Sequence, residues 1–102
     1  MEIVINACYG GFSVSKAVYD ELGLKWDGYG YIDGETLGLK DKFGDSYRTN
    51  KQLINAIKKV GLKKASGKFA SLKIIEIPNN IEWEIDEYDG IETVHEKHDV
   101  WS

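Results

Sequence analysis

Apolar residues along the chain fall into short blocks whose spacing changes from one block to the next. The opening "EIVINAC" is β-branched and too short for a stable helix, so it predicts a buried strand. It runs into "YGGF", where two glycines predict a tight turn. Ser13 or Ser15 is placed to cap a helix that carries Val14, Val18 and Leu22 on one face and closes at Gly23. The clearest helix signal lies in "RTNKQLINAIKKVGLKKASG". Thr49 or Asn50 caps it, Leu53, Ile54, Ile57 and Val60 form its apolar stripe, and Gly61 stops it. "SLKIIEI" predicts a second buried strand, ended by Pro78, Asn79 and Asn80.

Near the C-terminus the period changes to two. "EWEIDEY" and "IETVHEK" alternate on either side of Asp89-Gly90, the dipeptide that best fits a type I′ hairpin turn. With those two as the loop, Tyr88 faces Ile91, Asp86 faces Thr93 and Glu84 faces His95, while Ile85 meets Val94 and Trp83 meets Glu96. One face then turns Trp83, Ile85 and Val94 to the core, and the other turns Glu82, Glu84 and Asp86 to solvent.

Between Lys25 and Tyr47 neither period holds. The stretch is rich in Gly, Asp and Tyr and predicts a long ordered loop whose aromatics need burial. Together the elements predict one α+β domain over residues 1–102. Its small mixed or antiparallel sheet comes from the first strand, "SLKIIEI" and the C-terminal β-hairpin, with two covering helices.

Charge changes this picture more than composition does. The net charge is only −4, but the distribution is lopsided. Arg48, Lys51, Lys58, Lys59, Lys63, Lys64, Lys68 and Lys73 follow one another with no carboxylate between them. Several fall near a helix C-terminus, where cations complement the dipole, so a solvated helix face accounts for much of the run. Direct nucleic-acid binding is not expected of it, because Tyr29 and Tyr31, which would stack bases, lie in the loop and outside the run. From Glu76 onward the chain is acidic, with Glu82, Glu84, Asp86, Glu87, Asp89, Glu92 and Glu96 across the hairpin. Such a face either keeps an edge strand from pairing or complements a basic protein surface.

Absence of a long apolar run and of a secretory start predicts an intracellular protein with no membrane partner. Cys8 is the only cysteine and His95 and His98 the only histidines, so a zinc site would draw on all three plus a carboxylate or water. The alternative for the histidines is a plain surface position ion-paired with Glu84 or Glu96. Catalysis is not expected. No phosphate-binding or dinucleotide motif is present, and a cysteine in an apolar strand is a poor nucleophile.

Three blocks, "IVINACYGGFS", "ASLKIIEIP" and "EWEIDEYDGIETVHEKHDVW", resemble a family of small phage and prophage proteins that begin in Cys-Tyr-Gly-Gly-Phe and end near Glu-x-His-x-x-Trp. Within that group the chain is similar to type II-A anti-CRISPR proteins, which inhibit Cas9. Thr93, His95 and Asp99 depart from the pattern, where an aromatic, Ala and Arg are usual, whereas His98 and Trp101 fit it. The resemblance implies a non-enzymatic inhibitor acting in the cytoplasm of the bacterial host. It would bind a Cas9-type nuclease through Glu82, Glu84, Asp86, Glu87, Asp89, Glu92 and Glu96 and block nucleic-acid loading. The alternative is a metal- or nucleotide-binding counter-defence protein of a phage, with Cys8, His95 and His98 as metal ligands or with the loop and "YGGF" lining a pocket.

Overall fold

The computed structural model describes residues 1–40 and 44–96. Strand β1 (Glu2–Asn6) buries Ile3, Val4 and Ile5 together, as expected for a strand covered on both faces. Helix α1 (Lys16–Leu22) starts after Ser15 and ends at Gly23, which takes the left-handed conformation at φ 72°. A 3-10 turn (Ser46–Thr49) leads into helix α2 (Lys51–Val60), whose N-cap is Asn50. The Asn50 side chain accepts the Leu53 N–H at 2.9 Å.

Helix α2 buries Leu53, Ile54, Ala56 and Ile57, so the stripe read from the sequence is the one that packs. The leucine and the two isoleucines each contribute roughly 2 kcal/mol by leaving water. Val18 and Tyr19 of α1 meet that stripe in the main core, together with Val4, Ile32 and Leu72. A short helix α3 (Leu62–Ala65) follows Gly61 and leads to strand β2 (Leu72–Glu76). Among the described residues no helix is long and apolar enough to cross a membrane.

Strands β3 (Trp83–Tyr88) and β4 (Ile91–Glu96) form the C-terminal hairpin in the register that the alternation predicts. Asp89 at φ 51° and Gly90 at φ 90° hold the two left-handed positions of its turn. The protein is thus α+β, with one departure from expectation. Among the described residues there are two separate two-stranded antiparallel sheets, β1 with β2 and β3 with β4, where a single sheet was expected.

Side chains explain the separation. The second edge of β1 is occupied by groups from elsewhere: the Asn6 N–H donates to Glu92 Oε1 at 2.8 Å, and Arg48 Nη1 donates to the Val4 carbonyl at 3.3 Å. Once a carboxylate and a guanidinium satisfy those backbone groups, β4 gains nothing by pairing there. The hairpin instead leans on the core at its turn end. Trp83, Ile85 and Val94 share a face as the register requires, but they are only half-buried and stand outside the main core.

Candidate functional site

On the outward face of the hairpin Glu84 of β3 lies opposite His95 of β4, one pair away from Asp86. His95 Nε2 is 2.6 Å from an Asp86 carboxylate oxygen and 3.7 Å from one of Glu84, so the imidazole bridges two exposed acids. Glu82, Glu87, Asp89 and Glu96 are exposed as well. Glu87 is not wholly turned to solvent, because it accepts the Gly90 N–H at 2.6 Å and braces the turn. Between Ile81 and Glu96 His95 is the only side chain that can carry positive charge.

The hydrogen bond to Asp86 favours the charged imidazole, with the nearby carboxylate charges adding to it, and holds the His95 pKa above 6.5. Because the folded-state pKa is raised, the stabilising contribution is complete below the unfolded value and is lost as pH rises through the folded one. Proton NMR of the His95 ring is expected to give a titration midpoint above that of an unstructured histidine, and Asp86→Asn should move it back down. A midpoint unchanged by the substitution would mean that the ion pair does not persist in solution.

Glu92 departs from the expected acidic face. It is 7% exposed and makes a bidentate pair with Arg48, itself 5% exposed, through bonds of 2.6 and 2.8 Å. Strand alternation puts Glu92 on the same side as Val94 and Ile85, facing inward. The Arg48 guanidinium also lies 3.7 Å from the centroid of the Phe12 ring and 5.0 Å from that of Tyr47. Burial is the largest single effect and works against its charge, but the interactions with Glu92 and Tyr47 together outweigh it and keep its pKa above the ordinary arginine value. Neither residue is available to a partner. The sequence carried one signal of this: Arg48 is the only arginine in a chain that otherwise uses lysine, and arginine is the residue suited to a buried planar ion pair.

The metal set read from the sequence does not come together. Cys8 is half-buried just beyond β1, its Sγ 3.4 Å from the Phe69 carbonyl and 3.6 Å from Asn6 Oδ1. Asn6 Nδ2 donates to both the Cys8 and the Gly90 carbonyls at 2.7 Å, which places Cys8 at the turn end of the hairpin. His95 lies five residues along β4 from Gly90, roughly 17 Å away at the usual rise of a strand. One ion cannot reach both. His98 lies outside the described residues. The donors that do converge are Glu84, Asp86 and His95, whose ligand atoms lie within 4.8 Å of one another. A divalent ion held there would displace the proton on His95 and leave its remaining positions to water.

No family model, curated protein or solved structure matches the chain.

Proposed function

We propose that the protein is a non-enzymatic binding protein whose C-terminal hairpin docks on a basic surface of a partner, and that the partner is a Cas9-type nuclease of the bacterial host. The observation that carries the first part is the run of exposed carboxylates, Glu82, Glu84, Asp86, Glu87 and Asp89, on a hairpin whose only cation is His95. Complementary charge of this kind speeds encounter and rejects acidic partners. The second part rests on the sequence resemblance and on the Arg/Lys surfaces with which Cas9 holds its guide and target. The acidic strand would occupy such a surface and keep nucleic acid from loading. The Arg48–Glu92 pair supports this role by fixing the hairpin to the body, so that little ordering cost falls on binding.

The test is the double variant Glu84→Lys, Asp86→Lys, assayed for Cas9 binding and for inhibition of target cleavage. Both carboxylates are exposed, and exposed charges matter little to stability, so the unfolding temperature should stay nearly constant. Affinity should fall about tenfold or more, and the loss should shrink in high salt. Full inhibition by the double variant would remove the hairpin from the mechanism. Capture of a different basic protein from host lysate, with no binding to Cas9, would keep the docking surface and discard the nuclease.

A further inference from the structure

Five aromatic rings are strongly exposed among the described residues, Tyr9, Tyr29, Tyr31, Phe69 and Tyr88, each between 65% and 75%. They come from four separate segments, yet all four segments meet around Gly10. Tyr9 is its neighbour in sequence. Gly10 shares a shallow cleft with Tyr29, Tyr31, Lys68 and Phe69, and its N–H donates to the carbonyl of Asp89, next to Tyr88. Exposed aromatics are costly to leave in water, and a cluster of them marks a contact surface.

The segments are laced together so closely that their glycines are obligatory. A Cβ on Gly30 would lie 2.0 Å from the Val14 carbonyl oxygen, and one on Gly10 would lie 2.4 Å from that of Phe69. Val14 N–H donates to Gly30, Gly67 N–H donates to Ser13, and Val14 forms a bridge to Ser66. This brings the tyrosine loop beside residues 66–69, the end of the basic run. For Lys68, which lines one cleft with Tyr29 and Tyr31, the separation along the sequence is therefore absent in space.

The tyrosine loop is also held rigid while its rings point outward. Asp27 accepts the backbone N–H groups of Tyr29, Gly30 and Tyr31, with the Gly30 bond foremost in holding its carboxyl below the usual range. The Tyr19 hydroxyl donates to the Tyr31 carbonyl, and burial pushes the pKa of that hydroxyl up to about 12. Gly30 and Ile32 turn inward and Tyr29 and Tyr31 turn outward. The two exposed rings stack at 6.0 Å with planes 17° apart. Lys68 lies over the Phe69 ring at 5.4 Å, and Lys63 and Lys64 precede it on α3. Among the described residues none of these three lysines forms an ion pair with a carboxylate, whereas Lys58 and Lys59 do, with Glu2 and Glu21.

From these observations we infer that this end of the molecule is a binding surface for single-stranded nucleic acid, with bases stacking on Tyr29, Tyr31 and Phe69 and phosphates meeting Lys63, Lys64 and Lys68. Rigid, outward, sequence-tolerant ring faces beside ammonium groups that no carboxylate neutralises are the chemistry of such surfaces. A free nucleotide fits less well, since the cleft holds only about 160 Å³, below the roughly 300 Å³ at which small-ligand pockets begin. A duplex hides the base faces that the rings would take.

Fluorescence anisotropy with a labelled oligothymidine of about twelve residues tests this directly, because the probe contains no protein and is independent of the hairpin's partner. Binding is expected at low salt. With three phosphates neutralised, affinity should drop about twentyfold between roughly 50 and 200 mM salt. The double variant Tyr29→Ala, Tyr31→Ala should weaken binding about tenfold or more, and Tyr29→Phe, Tyr31→Phe should retain it. All these rings are exposed, so unfolding temperatures should match the parent. Lys64→Glu with Lys68→Glu gives a second route to the same loss. No binding at low salt, equal affinity of the double alanine variant, equal affinity for duplex, or competition by thymidine monophosphate as effective as that by the strand would each overturn the inference.

Discussion

Replacing Arg48 with alanine is expected to destabilise the fold by about 3–5 kcal/mol, the range for breaking a buried ion pair from one side. The loss has three components. Glu92 is left charged and buried with no cation near it, the Val4 carbonyl loses a donor, and the face of Phe12 loses the guanidinium that covers it. For a domain of this size the unfolding temperature should fall by on the order of 20 °C. Glu92→Ala should cost a similar amount, because it strands the guanidinium and leaves the Asn6 N–H unpaired. A double variant with apolar residues at both positions should be more stable than either single one, since no charge is then left alone. If thermal denaturation places Arg48→Ala within about 1 kcal/mol of the parent, the pair is not a clasp.

The second large effect is expected at Gly90. Alanine there meets two penalties. Its φ of 90° is unfavourable for any residue with a Cβ, at about 1–2 kcal/mol. The added Cβ would also lie 2.4 Å from Gly11 N and 2.6 Å from Gly10 N, backbone atoms that cannot swing aside. Overpacking of this kind typically adds about 1–3 kcal/mol, so a total near 3 kcal/mol is expected. Gly11→Ala is the matched control. It has the same φ of 90° but no heavy atom within 4 Å of the added carbon, so it should cost only the conformational part. Chemical denaturation of the two variants reads the difference, and equal losses would mean that the close approach of the two turns relaxes freely.

Local rules explain which parts of this fold could be read in advance. The hairpin register follows from a period of two on either side of Asp89-Gly90, signals that act within about eight residues. Helix α2 follows from a stripe, an Asn50 cap and a Gly61 stop, again local. Arg48 and Glu92 are far apart in the chain, and although alternation turns Glu92 inward and Glu84 and Asp86 outward, no local pattern separates Glu92 from Glu87 and Glu96, which share its face and stay exposed. That one long-range pair also decides that β1 and β4 do not join, so the single-sheet expectation failed for the same reason. The proposed metal set failed on distance: Cys8 and His95 stand at opposite ends of a strand, which only the path of the chain fixes. The aromatic end was hidden likewise. Tyr29 and Lys68 are neighbours solely because Gly30 and Gly67 let three segments approach to backbone contact.

The side-chain bridge between β1 and the hairpin gives two adjacent amide protons different meanings. The Ala7 N–H is bonded to the Ser71 carbonyl, beyond the end of the β1–β2 ladder, whereas the Asn6 N–H is held by Glu92 of the hairpin. Solvent deuterium can therefore reach the first only when the β1–β2 sheet opens, and can reach the second whenever the hairpin lifts from the body. Two neighbouring resonances thus separate opening at that end of the β1–β2 sheet from undocking of the hairpin in the unmodified protein.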